Sequence, residues 1–245
     1  MWEKRDALAD ACLGEAERVL DVGCGNGEFT RVLADETDGD VVGCDADAAL
    51  LRENDAADSL VRGDAYALPF ADSSFDIVAC QALLVNLPEP CRAVKEFARA
   101  ASDRVVCVEP DNSAVTVEST VGNEAELARR SRRRYLNGAT TNPALGDDAA
   151  DVMRRAGLND VTVTRYEQEL VVAPPYDESD VAAVRRKASG ESLRRRRGEM
   201  EGDEETMDAL RDEWRAVGRE AARQVGEGVY ERRETVPFYV VVGDV

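Results

Sequence analysis

One short stretch constrains this chain more than any other: Val19-Leu20-Asp21-Val22-Gly23-Cys24-Gly25-Asn26-Gly27, an apolar run that ends in three alternating glycines. Arg18 to Val22 reads as a buried strand, and the residues from about Glu28 onward have helical character. Glycine in the turn between them permits backbone conformations closed to other residues and lets a ligand approach the main chain. The first N–H groups of the helix and the positive end of its dipole then face whatever occupies the turn. Such a strand–turn–helix holds a nucleotide or nucleoside at the carboxyl edge of a sheet.

The details choose among ligands. A dinucleotide fingerprint needs its third glycine where this chain has Glu28, and Asp21 adds a second carboxylate ahead of the turn. No Gly-Lys-Ser/Thr follows, which excludes a P-loop. A loop this acidic suits a ligand that carries positive charge and no phosphate.

On these residues the chain resembles motif I of the class I methyltransferases that use S-adenosylmethionine, a cofactor with a sulfonium, an ammonium and no phosphate. Three further stretches resemble that family in order and spacing: Val41-Val42-Gly43-Cys44-Asp45, Gly63-Asp64-Ala65 with Leu68-Pro69-Phe70, and Phe75-Asp76-Ile77-Val78-Ala79-Cys80-Gln81. The resemblance covers roughly residues 15 to 110. It implies an α/β fold, a doubly wound Rossmann-like sheet of seven mostly parallel strands in the order 3-2-1-4-5-7-6. It also implies a cofactor site. Gly23, Gly25 and Gly27 approach the methionine and ribose parts, Asp21 the amino group and Asp45 the ribose hydroxyls, with Cys24 and Ala46 counted among the cofactor-binding residues. Asp64 and Ala65 flank the adenine, and Gln81 the methionine end. Asp64 has a second reading as a turn cap, and Asn26 reads as a turn residue.

The strand–helix alternation supports this fold without the resemblance. Leu60-Val61, Ile77 to Cys80 and Val105 to Val108 are apolar enough for strands buried on both faces. Met1 to Leu13 reads as a helix, and Trp2 as a cover for the sheet edge in preference to a cap on the ligand. Asp47 reads as a helix cap, and Pro88 and Pro90 open the helix that buries Val94 and Phe97. Residues 1–173, completed by 235–245, form the expected core. Residues 174–234 form a largely helical insertion before the last strand, a lid or a homodimerisation element. Seven-residue steps from Leu193 through Met200 and Met207 to Trp214 suit one face of a long helix, and Gly198 and Gly202 argue for a break in it.

Composition narrows the chemistry. Histidine is absent, which removes the commonest general base and zinc ligand, and no metal site is expected. The six cysteines form no C-x-x-C pair. Acidic residues number 50 against 31 basic, and only Lys4, Lys95 and Lys187 are lysines, a bias that resembles the proteins of halophilic archaea and suits a salt-rich cytoplasm. No apolar run nears the ~20 residues that span a bilayer. The arginine runs at 129–134 and 194–197 are followed closely by acids, and no RNA-binding module is recognisable, which counts against a nucleic-acid partner.

The expected acceptor is therefore a small molecule, methylated by in-line attack that needs little beyond positioning. Where many relatives carry His-His after the fourth strand, this chain has Val85-Asn86. Asn86 and Glu109, the latter at the end of the fifth strand, are the candidates for substrate contact or base, with a helix-cap role as the plainer reading of Asn86. RNA or protein methylation, cofactor binding without turnover, and a dehydrogenase are the rival readings.

Overall fold

A computed structural model describes Trp2 and residues 5–245. In chain order the elements are β1 (Arg18–Val22), α1 (Glu28–Glu36), β2 (Asp40–Asp45), α2 (Ala48–Leu51), β3 (Ser59–Arg62), β4 (Phe75–Gln81), α3 (Pro90–Ala100) and β5 (Ala101–Pro110). There follow β6 (Thr116–Ser119), α4 (Glu124–Gly138), α5 (Ala149–Ala156), β7 (Asn159–Val172), α6 (Glu178–Ser189), α7 (Glu191–Arg195), α8 (Glu204–Glu227) and β8 (Arg232–Asp244). Two compact units emerge, one of residues up to Asp111 with Leu145–Tyr166 and Pro237–Val245, the other of Asn112–Ala144 with Glu167–Val236.

The first unit is organised around β1. Val19 and Leu20 are wholly buried because β2 lies on one side, β4 on the other, and both run parallel to β1. The strands follow the order β3-β2-β1-β4-β5-β8, with β7 on the far side of β8 and β8 antiparallel to β5. With β8 as the seventh strand and β7 as the sixth, this is the expected order. Proline opens α3, where its missing N–H costs nothing, and Val94 and Phe97 are buried to the last ångström of surface. Gly157 closes α5 in the left-handed conformation, φ 105°.

The N-terminal helix needs correction. Its described part is two 3-10 turns, Asp6–Ala11 and Leu13–Glu15, separated by Cys12 at φ 51°. Its thin stripe of Leu8, Cys12 and Leu13 was too little apolar face to hold a continuous helix. Met1, Glu3 and Lys4, at the start of that expected helix, lie outside the described residues. Trp2 is nearly buried and stacks on Phe29 and Tyr166, with ring centroids 5.8 and 5.1 Å away.

The second unit has its own core, with Leu127, Val184, Met207, Leu210, Val217 and Tyr230 at its centre. Here β6, a strand the polar 111–150 segment did not announce, pairs antiparallel with the first residues of β8. The seven-residue seam does not lie on one helix. After α7, a 3-10 turn spans Arg197–Glu199, and α8 starts afresh behind Asp203, whose side chain accepts the Thr206 N–H at 2.9 Å. Gly202, at φ 140°, marks the break, so glycine outweighed periodicity. Among the described residues no helix is long and apolar enough to cross a membrane.

Candidate functional site

The three glycines adopt left-handed φ values of 73°, 51° and 90°, so at every second position the turn takes a conformation that a side chain resists. Their surroundings differ. A Cβ on Gly23 would lie 2.9 Å from Leu83 Cδ1, and one on Gly27 would lie 2.4 Å from Asn54 Oδ1. A Cβ on Gly25 would meet nothing within 4 Å, so the middle of the loop faces open space. The loop is tied down by the N–H groups of Gly23 and Cys24, which donate to Cys44 O at 2.7 and 3.2 Å, and by Gly25 N–H, which donates to Asp45 Oδ2 at 3.0 Å.

Asp21 lies beneath this loop with 1% of its surface exposed. Its Oδ2 accepts from Thr30 Oγ1 at 2.7 Å, and Thr30 in turn accepts from Asn54 Nδ2 at 3.3 Å. Its Oδ1 is buried and has no hydrogen-bond partner among the described residues. Burial pushes the Asp21 carboxyl up to about 7; the Thr30 hydroxyl draws it down and the charge of Asp45 adds to the rise. A buried carboxylate with an unused oxygen is costly without a donor or a cation to meet it.

The other expected cofactor residues cluster at the same strand ends. Asp45 ends β2 with Oδ1 accepting from Asp47 N–H at 2.8 Å, and Asp47 caps α2 through Ala49 N–H, as its position suggested. The Ala46 carbonyl accepts from Arg62 Nε at 3.0 Å. Asp64 is exposed and forms a turn, its Oδ1 accepting from Tyr66 N–H at 2.9 Å and its carbonyl from Ala67 N–H at 2.9 Å, with Ala65 held half-buried between. Gln81 ends β4, and its Oε1 accepts from Trp2 Nε1 at 2.8 Å. Burial pushes the Cys24 and Cys44 thiols up, to about 12 and about 11, away from the reactive thiolate.

The two residues taken as possible catalytic groups are arranged differently. Glu109 has no exposed surface. Its Oε1 accepts from the N–H groups of Leu83 and Leu84 at 3.1 and 2.9 Å, and its Oε2 from Val85 N–H at 3.1 Å. The carboxylate is thus enclosed and engaged by backbone donors, where the sequence had suggested substrate contact or a base. Asn86 is not a helix cap either: it closes a 3-10 turn, Leu84–Asn86, and its Nδ2 donates back to Ala82 O at 2.8 Å. Thr30, Asn54 and Leu83 were missed. Thr30 had left a signal, being a polar residue within the apolar run Phe29, Val32, Leu33 of α1.

Residues 20–108 match the family model described as a methyltransferase domain. The chain is 36% identical over 121 residues to a demethylmenaquinone methyltransferase of Lactiplantibacillus plantarum, an alignment covering 44% of this chain and 51% of that protein. It is 28% identical over 188 residues to the protein of the same name from Shouchella clausii, covering 67% and 80%. The chain thus spans about half the length of the first of these relatives. Among solved structures, a SAM-dependent methyltransferase from Archaeoglobus fulgidus superposes with a TM-score of 0.53 at 13% identity, covering 97% of this chain and 90% of that one, a likeness of fold. The match over residues 20–108 falls on the strands of this sheet and on this glycine turn, so that part of the chain is similar to a methyltransferase domain.

Proposed function

We propose that the chain transfers the methyl group of S-adenosylmethionine to a small-molecule acceptor by direct in-line displacement, with catalysis mainly by positioning. The observation that carries this reading is the partnerless Oδ1 of Asp21, buried beneath a glycine loop whose middle faces open space. An ammonium near that oxygen satisfies it, whereas a phosphate would be repelled by Asp21 and Asp45 together. Asp45 keeps lone pairs for two ribose hydroxyls while its carboxylate holds Gly25 and Asp47. Asp64, Ala65 and Ala46 line the adenosine end in this reading, Gln81 the methionine end, and Gly23, Cys24, Gly25 and Gly27 present backbone. We assign Asn86 to its turn and Glu109 to the scaffold.

The cofactor supplies a methyl group already activated on a sulfonium, so the protein needs to hold the acceptor in line and exclude water. The chain has no histidine, and Glu109 is committed to backbone N–H groups, which favours an acceptor that needs no strong base. The relatives named for demethylmenaquinone support a small, quinone-like acceptor. The excess of acid, −19 overall, supports a salt-adapted cytoplasmic setting. The test is to incubate the protein with methyl-labelled S-adenosylmethionine and a cell extract. Label in the solvent-extractable small-molecule fraction is expected; label confined to precipitated RNA or protein would overturn the acceptor class.

A further inference from the structure

The Glu109 carboxylate is built into the molecule at some cost. It is wholly buried, and burial pushes it up to about 7 in spite of the three backbone N–H groups that draw it down. Those N–H groups belong to consecutive residues of the turn that leaves β4. The turn begins with Ala82, a residue with a side chain held at φ 50° and fastened by its N–H to Val108 O at 2.8 Å. Backbone in that region is strained and persists only where the surroundings hold it. The next side chain, Leu83, lies against the face of Gly23, so close that a methyl group there would be 2.9 Å from Leu83 Cδ1. One carboxylate on β5 therefore fixes a strained turn, and that turn braces the first glycine of the ligand loop.

We propose that Glu109 is a positioning residue for the cofactor cleft: its carboxylate pins the backbone of Leu83–Val85, and Leu83 in turn holds the glycine loop at Gly23 in its binding shape. This rests on the functional reading above and deepens it, since it says what keeps the two walls of the cleft in register. The groups facing the carboxylate are the thiol of Cys80, 3.8 Å away, and the three N–H donors; Leu83 carries the effect onward by contact alone.

A control is available in the same unit. Asp76, at the start of β4, accepts the N–H groups of Glu17 and Arg18 at 2.8 Å each, at the end of the strands opposite the glycine loop. The experiment compares Glu109→Gln with Asp76→Asn in the full chain by calorimetric titration with S-adenosylhomocysteine, well below each variant's melting temperature. Both substitutions remove a carboxylate that clasps backbone, so both lower Tm. Glu109→Gln is expected to raise the Kd about tenfold or more, the equivalent of one charge-assisted hydrogen bond, while Asp76→Asn leaves it within about twofold. Leu83→Ala, which spares the clasp and removes the brace, is expected to raise Kd a few-fold, and it serves if Glu109→Gln does not fold. An unchanged Kd in Glu109→Gln, or in Leu83→Ala where that variant stands in, overturns the proposal, as does an equal loss in Asp76→Asn. If the native chain binds no S-adenosylhomocysteine, the functional reading fails by itself. The clasp is then read by amide exchange, where protection of Leu83–Val85 falls about tenfold or more in Glu109→Gln if the proposal holds and is unchanged if it does not.

Discussion

At the scale of single residues, two carboxyls of the first unit, Asp21 and Glu109, are buried. Both are pushed up to about 7 by burial. Between the unfolded value of 3.8 and the folded value of about 7, Asp21 holds a proton that the unfolded chain has released. Its contribution to stability is therefore complete below the unfolded pKa and is lost as pH rises through the folded one. Asp21→Asn should accordingly raise the stability of the cofactor-free protein at pH 8 by about 1–3 kcal/mol, with a smaller gain at pH 5. The same substitution should weaken binding of S-adenosylhomocysteine. Urea unfolding at the two pH values, with a titration alongside, checks both; a loss of stability at pH 8 would contradict the assignment. The placement of Asp21 and Asp45 near the ends of their strands was legible because each stands at a fixed step from an apolar run. The role of Glu109 was not, because its three donors lie 24 to 26 residues away and meet it only once β4 and β5 pair.

At the scale of elements, the glycine turn separates what the fold needs from what the ligand needs. Alanine at Gly27 meets both φ 90° and Asn54 Oδ1 at 2.4 Å, so Gly27→Ala should destabilise the protein by more than the ~1–2 kcal/mol of left-handed strain alone. Alanine at Gly25 has φ 51° and open space around it, so Gly25→Ala should lose about 1 kcal/mol of stability and disproportionately more cofactor affinity. Thermal unfolding with and without S-adenosylhomocysteine distinguishes the two; equal affinity losses per unit of lost stability would contradict a ligand over Gly25. The parallel strands were readable from apolar runs such as Val19 to Val22 and Val105 to Val108, since a strand buried on both faces leaves no other pattern. The helical segments 178–227 were harder. Leu193, Met200, Met207 and Trp214 keep a helical period across a break set by Gly202, because a core can collect apolar side chains from several short pieces as readily as from one long helix.

At the scale of the whole molecule, charge is the governing quantity. With 50 acidic and 31 basic residues, self-repulsion opposes the compact state at low ionic strength, and mobile ions screen it over about 10 Å at 0.1 M and about 3 Å at 1 M. Tm should rise as KCl is raised from about 0.1 to about 2 M; a flat or falling profile would remove the salt-adapted reading and leave an ordinary acidic protein. A charge excess of this kind bears on the setting and says nothing of the acceptor. The central claim is narrower, that an acidic glycine loop with a partnerless Asp21 oxygen takes a cationic nucleoside without phosphate. It is tested most directly by calorimetric titration of the folded protein in molar KCl with S-adenosylhomocysteine, and with NAD as the competitor chemistry. Saturable one-site binding of S-adenosylhomocysteine with no heat from NAD is the predicted result. Binding of NAD, or of neither ligand by a protein whose circular dichroism shows it folded, would contradict the account.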